Sequence, residues 1–223
     1  MLNSIRGAIF DMDGTLVDSL FLWERLWEEF GKRYCNGARL PIREEDDRLI
    51  RTMILADAME HVHRVCGIGR DGGELLTVAE EMIDGFYKNQ VRLKDGVREF
   101  LEYCRGKGIR MMIASATRRE YVEAAAKHCG IDGYFQGLIS CADVGKGKEH
   151  PDVFLRAAKI LGTEVSETCV FEDSLTALVT ARDAGMKTVG IYDKYNYGGE
   201  ALSSVADVYI AEGETLKKLI FKI

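Results

Sequence analysis

The chain has 223 residues, enough for one large domain or for a core with a smaller insertion. Hydrophobic residues make up 47% and charged residues 30%, an ordinary soluble globular mix. The net charge of −6 argues against a general nucleic-acid or acidic-membrane binder, so the positive charge that holds any anionic ligand must be local.

The six cysteines, Cys35, Cys66, Cys104, Cys129, Cys141 and Cys169, are scattered and form no C-x-x-C pair. That spacing predicts reduced thiols in a cytoplasmic protein, without a disulfide framework or a structural zinc site. The apolar run before Asp11 is too short for a signal peptide, and no apolar stretch approaches 18 residues.

The first predicted strand, "IRGAIFD" (5–11), runs straight into "DMDGTLVDS", which sets Asp11 and Asp13 where a buried strand ends. Crowded carboxylates raise one another's free energy, so they need a cation, a proton or water. A strand followed by a polar turn is the plain alternative.

Residues 19–92 then read as helices only. Leu20, Trp23, Trp27, Phe30 and Tyr34 recur at spacings of three and four, one face of a helix. "EEDDRLIRTMILADAMEHVHRVC" and "GELLTVAEEMIDGFYKNQV" are predicted helices joined through "GIGRDGG". Packing explains Trp27; Trp23, earlier on its helix, is the candidate to wall a substrate.

Strand–helix alternation resumes after residue 92. "IRMMIAS" (109–115), "GLISCAD" (137–143), "TCVFED" (168–173) and "KTVGIYD" (187–193) are predicted strands. The helices between them are "RREYVEAAAKHCG", "PDVFLRAAKILG" with its leading Pro and closing Gly, and "SLTALVTARDAG" with Ser174 as N-cap. This is the pattern of an α/β parallel sheet covered on both faces, with an all-α insertion. Ligands of such sheets bind beyond the carboxyl ends of the strands, so Asp11, Ser115, Asp143, Glu172 and Asp173 are expected at one edge.

A phosphate ester with Mg2+ would suit that edge. Asp11, Asp13, Glu172 and Asp173 are the candidate metal-site residues. Asp11 is the candidate nucleophile, and Asp13 the acid and base for leaving group and water. Ser115, the backbone N–H groups of the turn at Ala116, and Lys148 would hold the phosphoryl oxygens.

With these pieces in place, the sequence resembles the haloacid dehalogenase-like superfamily, in its helical-cap phosphatase and β-phosphoglucomutase-like branch. The resemblance rests on "DMDGTLVDS", "IASAT", "GKEHPDVF" and "VFEDSLTALVTARDAGM" and runs over nearly the whole chain. It implies a Rossmann-like core of residues 1–17 and 93–223 and a mobile helical cap of residues 18–92. It selects Lys148 over Lys146, makes Asp11 the nucleophile and sets Glu172 and Asp173 at the metal. Glu149 and Ala177 depart from the pattern, where the family often has Pro and Gly; neither removes a reacting group. His150 reads as a surface residue.

The activity the resemblance implies is Mg2+-dependent hydrolysis of a small phosphorylated metabolite, a sugar phosphate or nucleotide, through an aspartyl-phosphate. A mutase is the first alternative, and Trp23 stands where such mutases carry a histidine. A non-catalytic phosphate-binding module is the second, although it would be expected to have lost Asp11 or Asp13.

Overall fold

The computed structural model describes residues 5–51, 53–196 and 199–220. In chain order the elements are β1 (Gly7–Phe10), β2 (Val17–Asp18), α1 (Leu22–Tyr34), α2 (Glu44–Ile50), α3 (Leu55–Cys66), α4 (Gly72–Asn89) and β3 (Arg92–Leu93). There follow α5 (Val97–Gly106), β4 (Arg110–Ser115), α6 (Arg119–His128), β5 (Leu138–Ser140), α7 (Asp152–Leu161) and β6 (Thr168–Glu172). The chain then adds α8 (Leu175–Asp183), β7 (Lys187–Ile191), α9 (Gly199–Val205) and β8 (Val208–Ile210). Two compact units result: Met1–Leu20 with Tyr87–Ile223, and Phe21–Phe86.

The larger unit is a Rossmann-like parallel sheet in the order β5-β4-β1-β6-β7-β8. The first strand sits in the middle, with Phe10 in register with Ile113 on one side and Phe171 on the other. Alternation sends successive side chains to opposite faces. Ile9 and Val170 pack with Val153, Phe154, Ala157 and Leu161 of α7 and with Ala177 and Ala181 of α8. Phe10 stacks on Phe171 at 4.4 Å and meets Phe100 of α5 edge-on at 6.2 Å. Helices thus cover both faces, as expected of strands that are buried throughout.

Several details of this unit depart from the sequence reading. The run 137–143 is strand only to Ser140; Cys141–Asp143 turn into a 3-10 helix, because Ser140 and Asp143 cap each other's backbone. The strand β8 was not expected. β2 and β3 pair antiparallel, Val17 with Leu93 and Asp18 with Arg92, and the boundaries read from sequence fall within this ribbon.

The smaller unit is helical and encloses its own core of Leu26, Trp27, Phe30, Leu40, Ile50, Met59, Val62 and Leu75. The run 44–66, read as a single helix, is two, α2 and α3, with Ile54 in extended backbone before α3. Buried polar groups here are paired: Trp27 Nε1 donates to Asp47 at 2.7 Å, and His61 Nε2 lies 3.0 Å from Asp46. Among the described residues, no helix is long and apolar enough to cross a membrane.

Candidate active site

Three strand ends build the centre of the site. Asp11 continues β1, its N–H donating to the Phe171 carbonyl at 3.0 Å, so its carboxyl lies beside the end of β6. There Glu172 and Asp173 follow in sequence, and all three side chains are buried. One carboxylate oxygen from each of Asp11, Glu172 and Asp173 lies within 4.8 Å of the others. Lys148 reaches in from the loop before α7 and donates to Asp11 Oδ1 and Glu172 Oε1. Lys146, two residues earlier, pairs instead with Asp152 at 3.0 Å.

The electrostatics follow from this crowding. Burial, then repulsion from Glu172 and Asp13, lifts Asp11 to about 8 against the attraction of Lys148. Burial also lifts Asp173 well above the ordinary carboxyl range, reinforced by Glu172 and Asp11. Burial alone would lower the Lys148 pKa, but Asp11 and Glu172 hold its ammonium well above the ordinary lysine value. With all three carboxyls ionised, one ammonium would leave a surplus of negative charge, which is why burial favours their protonated forms until a cation binds. Hard oxygen donors with that surplus fit Mg2+, which takes one or two carboxylates along with waters and phosphate oxygens.

Each carboxylate is held in place. Glu172 Oε2 accepts from the Ser174 N–H at 2.9 Å, where α8 begins. Asp173 accepts from Thr15 Oγ1 at 3.1 Å and from Asn196 Nδ2 at 2.7 Å. The turn at Gly14 presses against it: the backbone has φ +76°, and a Cβ there would lie 2.5 Å from Asp173 Oδ2. Lys94 clasps that turn by donating to the carbonyls of Gly14 (2.7 Å) and Tyr192 (3.0 Å) and to Asp193 Oδ2 (2.7 Å).

Asp13, expected among the metal ligands, directs its carboxylate elsewhere. Oδ1 accepts from Ser19 Oγ at 2.6 Å and Tyr87 OH at 2.5 Å, and Oδ2 from Thr117 Oγ1 at 2.7 Å. It stands outside the group formed by Asp11, Glu172 and Asp173. Ser115, buried at the end of β4, accepts the Thr117 N–H at 3.1 Å, and exposed Ala116 lies between them.

One expected residue, Asp143, does not join the buried carboxylates. Asp143 is turned away by its capping role and by Arg119, 2.6 Å from its carboxylate. Trp23 belongs to the helical unit, where its ring packs on Trp27 at 5.5 Å. His150 is exposed. The residues that sequence reasoning missed are Thr15, Ser19, Tyr87, Lys94, Thr117, Asp193 and Asn196. Of these, Thr15 and Ser19 lie within "DMDGTLVDS" and Thr117 closes "IASAT"; the other four lie outside the motifs already singled out.

The family model for haloacid dehalogenase-like hydrolases matches residues 5–185. This chain belongs to that family. It is 26% identical over 225 residues to a phosphorylated carbohydrates phosphatase of Thermotoga maritima, covering 96% of this chain and 98% of that protein. Among solved structures, CbbY from Rhodobacter sphaeroides in complex with phosphate has a TM-score of 0.73 at 21% identity, covering 96% of each chain. A β-phosphoglucomutase from Clostridium difficile also has a TM-score of 0.73, at 17% identity, covering 98% of this chain and 94% of that one. Hydrolase and mutase thus share the fold, and the choice between them rests on side chains.

Proposed function

We propose that the protein is a Mg2+-dependent phosphatase of a small phosphorylated carbohydrate and works through an aspartyl-phosphate on Asp11. One observation carries the reading: a buried Asp11 at the central strand end, paired with Lys148 and flanked by Glu172 and Asp173, with a second carboxyl two residues on. The similarity to the Thermotoga maritima phosphatase supports the carbohydrate class. The six free thiols suit the reducing cytoplasm, where we place the protein.

In this reading an oxygen of ionised Asp11 attacks phosphorus. The ester P–O bond breaks, its electron pair stays on the leaving oxygen, and that oxygen takes the proton of the Asp13 carboxyl. Asp13, now a carboxylate, removes a proton from water as its oxygen attacks the phosphoryl group. The bond to Asp11 breaks, and phosphate leaves with both carboxyls restored. Lys148 neutralises Asp11 and a phosphoryl oxygen. The Ser115 hydroxyl and the N–H of the turn at Ala116 receive the others. Asp11, Glu172 and Asp173 would hold Mg2+, which when bound neutralises carboxylate and phosphoryl charge.

Trp23 weighs against the mutase, since an indole cannot relay a proton as a histidine does. The test is phosphate release from a panel of phosphorylated sugars and polyols with Mg2+, alongside β-glucose 1-phosphate with a trace of its 1,6-bisphosphate. Turnover of at least one ester to free phosphate is expected. Rapid isomerisation of the glucose phosphate with almost no phosphate release would overturn the hydrolase in favour of the mutase.

A further inference from the structure

Tyr87 lies near the end of α4 and falls with the larger unit, 74 residues from Asp13 in sequence. Its ring is buried and stacked on Tyr121, with centroids 5.6 Å apart and planes 12° apart. Tyr121 is itself fixed: Arg118 Nη2 donates to its hydroxyl at 3.0 Å, and the guanidinium lies 5.0 Å from its ring centre. The phenol therefore has little freedom, and its hydroxyl meets Asp13 Oδ1 at 2.5 Å.

The two oxygens of Asp13 are not equivalent. Oδ1 faces two hydroxyls, those of Tyr87 and Ser19, and Oδ2 faces one, that of Thr117. A hydroxyl can donate or accept. A proton on Oδ1 would require one of its two donors to turn and the other to be lost or shared. A proton on Oδ2 requires only that Thr117 turn to accept. We propose that Tyr87 is a positioning residue for the proposed reaction: with Ser19 it pins Oδ1 as an acceptor, so that Oδ2 is the oxygen that gives the leaving group its proton and takes one from water. This rests on the phosphatase reading above and adds to it a residue outside every recognised motif.

Leaving-group chemistry tests the inference. A 4-nitrophenolate leaves without a proton, whereas the alkoxide of 4-nitrobenzyl phosphate, of nearly the same size, needs one. kcat/KM reports steps only through release of the alcohol, so the water step, common to both esters, drops out. Tyr87→Phe keeps the stacked ring and removes the hydroxyl. It is expected to lower kcat/KM for 4-nitrobenzyl phosphate by about 10- to 100-fold, the scale of a misplaced catalytic group. For 4-nitrophenyl phosphate the loss should stay below about threefold, since no proton is required there. Ser19→Ala removes the other donor to the same oxygen and should reproduce the split, and it carries the decision if Tyr87→Phe does not fold. Equal losses on both esters, or no loss on either, would overturn the assignment of Tyr87 while leaving the phosphatase intact. A wild-type enzyme that releases phosphate from neither probe nor from any carbohydrate ester would overturn the phosphatase reading and this inference with it.

Discussion

Replacing Lys148 with Met separates charge from volume at the centre of the site. Met fills much of the same space without the ammonium. The Lys148 side chain is only 10% exposed, and it pairs with Asp11 and Glu172, which are as buried. Removing one partner of such a buried pair costs about 3–5 kcal/mol. For a chain of this size, each kcal/mol moves Tm by about 2–4 °C, so a fall of about 6–20 °C is expected in cation-free buffer. The pH dependence has a definite sign. Asp11 has a folded pKa of about 8 against an ordinary 3.8, so in that interval the folded state binds a proton that the unfolded state has lost. Stability from this group is full below about 4 and is lost as pH rises towards 8. Without Lys148 the folded pKa moves higher still and the loss extends further, so the gap between variant and wild type should be wider at pH 9 than at pH 6. Mg2+ supplies positive charge to the same carboxylates and should restore part of the loss. Calorimetric melting curves at both pH values, with and without Mg2+, read all of this. Equal Tm for the two proteins at pH 9 without cation would show that Lys148 is not the stabilising counter-charge of Asp11 and Glu172.

Gly14→Ala puts a Cβ 2.5 Å from Asp173 Oδ2 in left-handed backbone, so it should lower Mg2+ affinity as well as Tm; titration calorimetry showing unchanged affinity would count against Asp173 as a ligand. Mg2+ should displace protons from Asp11 and Asp173, so its affinity should rise between pH 6 and 8; calorimetry in two buffers of different ionisation enthalpy should detect the released protons. In the helical unit, Trp27→Phe removes the 2.7 Å donor to buried Asp47 and should cost about 1–3 kcal/mol in urea unfolding, with no effect expected on Mg2+ affinity.

The parts of this molecule legible in sequence are those written locally. Five core strands announce themselves as apolar runs, and three of them stop at Asp11, Ser115 and Glu172, which fixes the edge where the site forms. Asp143 was misplaced because "SCAD" looks like a strand end, yet Ser140 and Asp143 satisfy each other as a capping pair. The β2–β3 ribbon has two residues per strand, too few for any alternation to show. The partners of Asp13 were hidden for another reason: Tyr87 and Thr117 lie 74 and 104 residues away, and a tyrosine at a helix end carries no mark of the carboxylate it meets. Lys94 and Asp193 are likewise joined only by the fold, across 99 residues.

In the proposed reaction the phosphoryl group passes through Asp11. Rapid acid quenching of the enzyme during turnover of its best carbohydrate ester, followed by mass spectrometry of its peptides, tests that directly. One added phosphoryl group is expected on the peptide carrying Asp11 in the wild type, and neither that group nor turnover in a folded Asp11→Asn variant. Phosphate release at the wild-type rate by Asp11→Asn, with no phosphorylated peptide in either protein, would contradict an aspartyl-phosphate on Asp11.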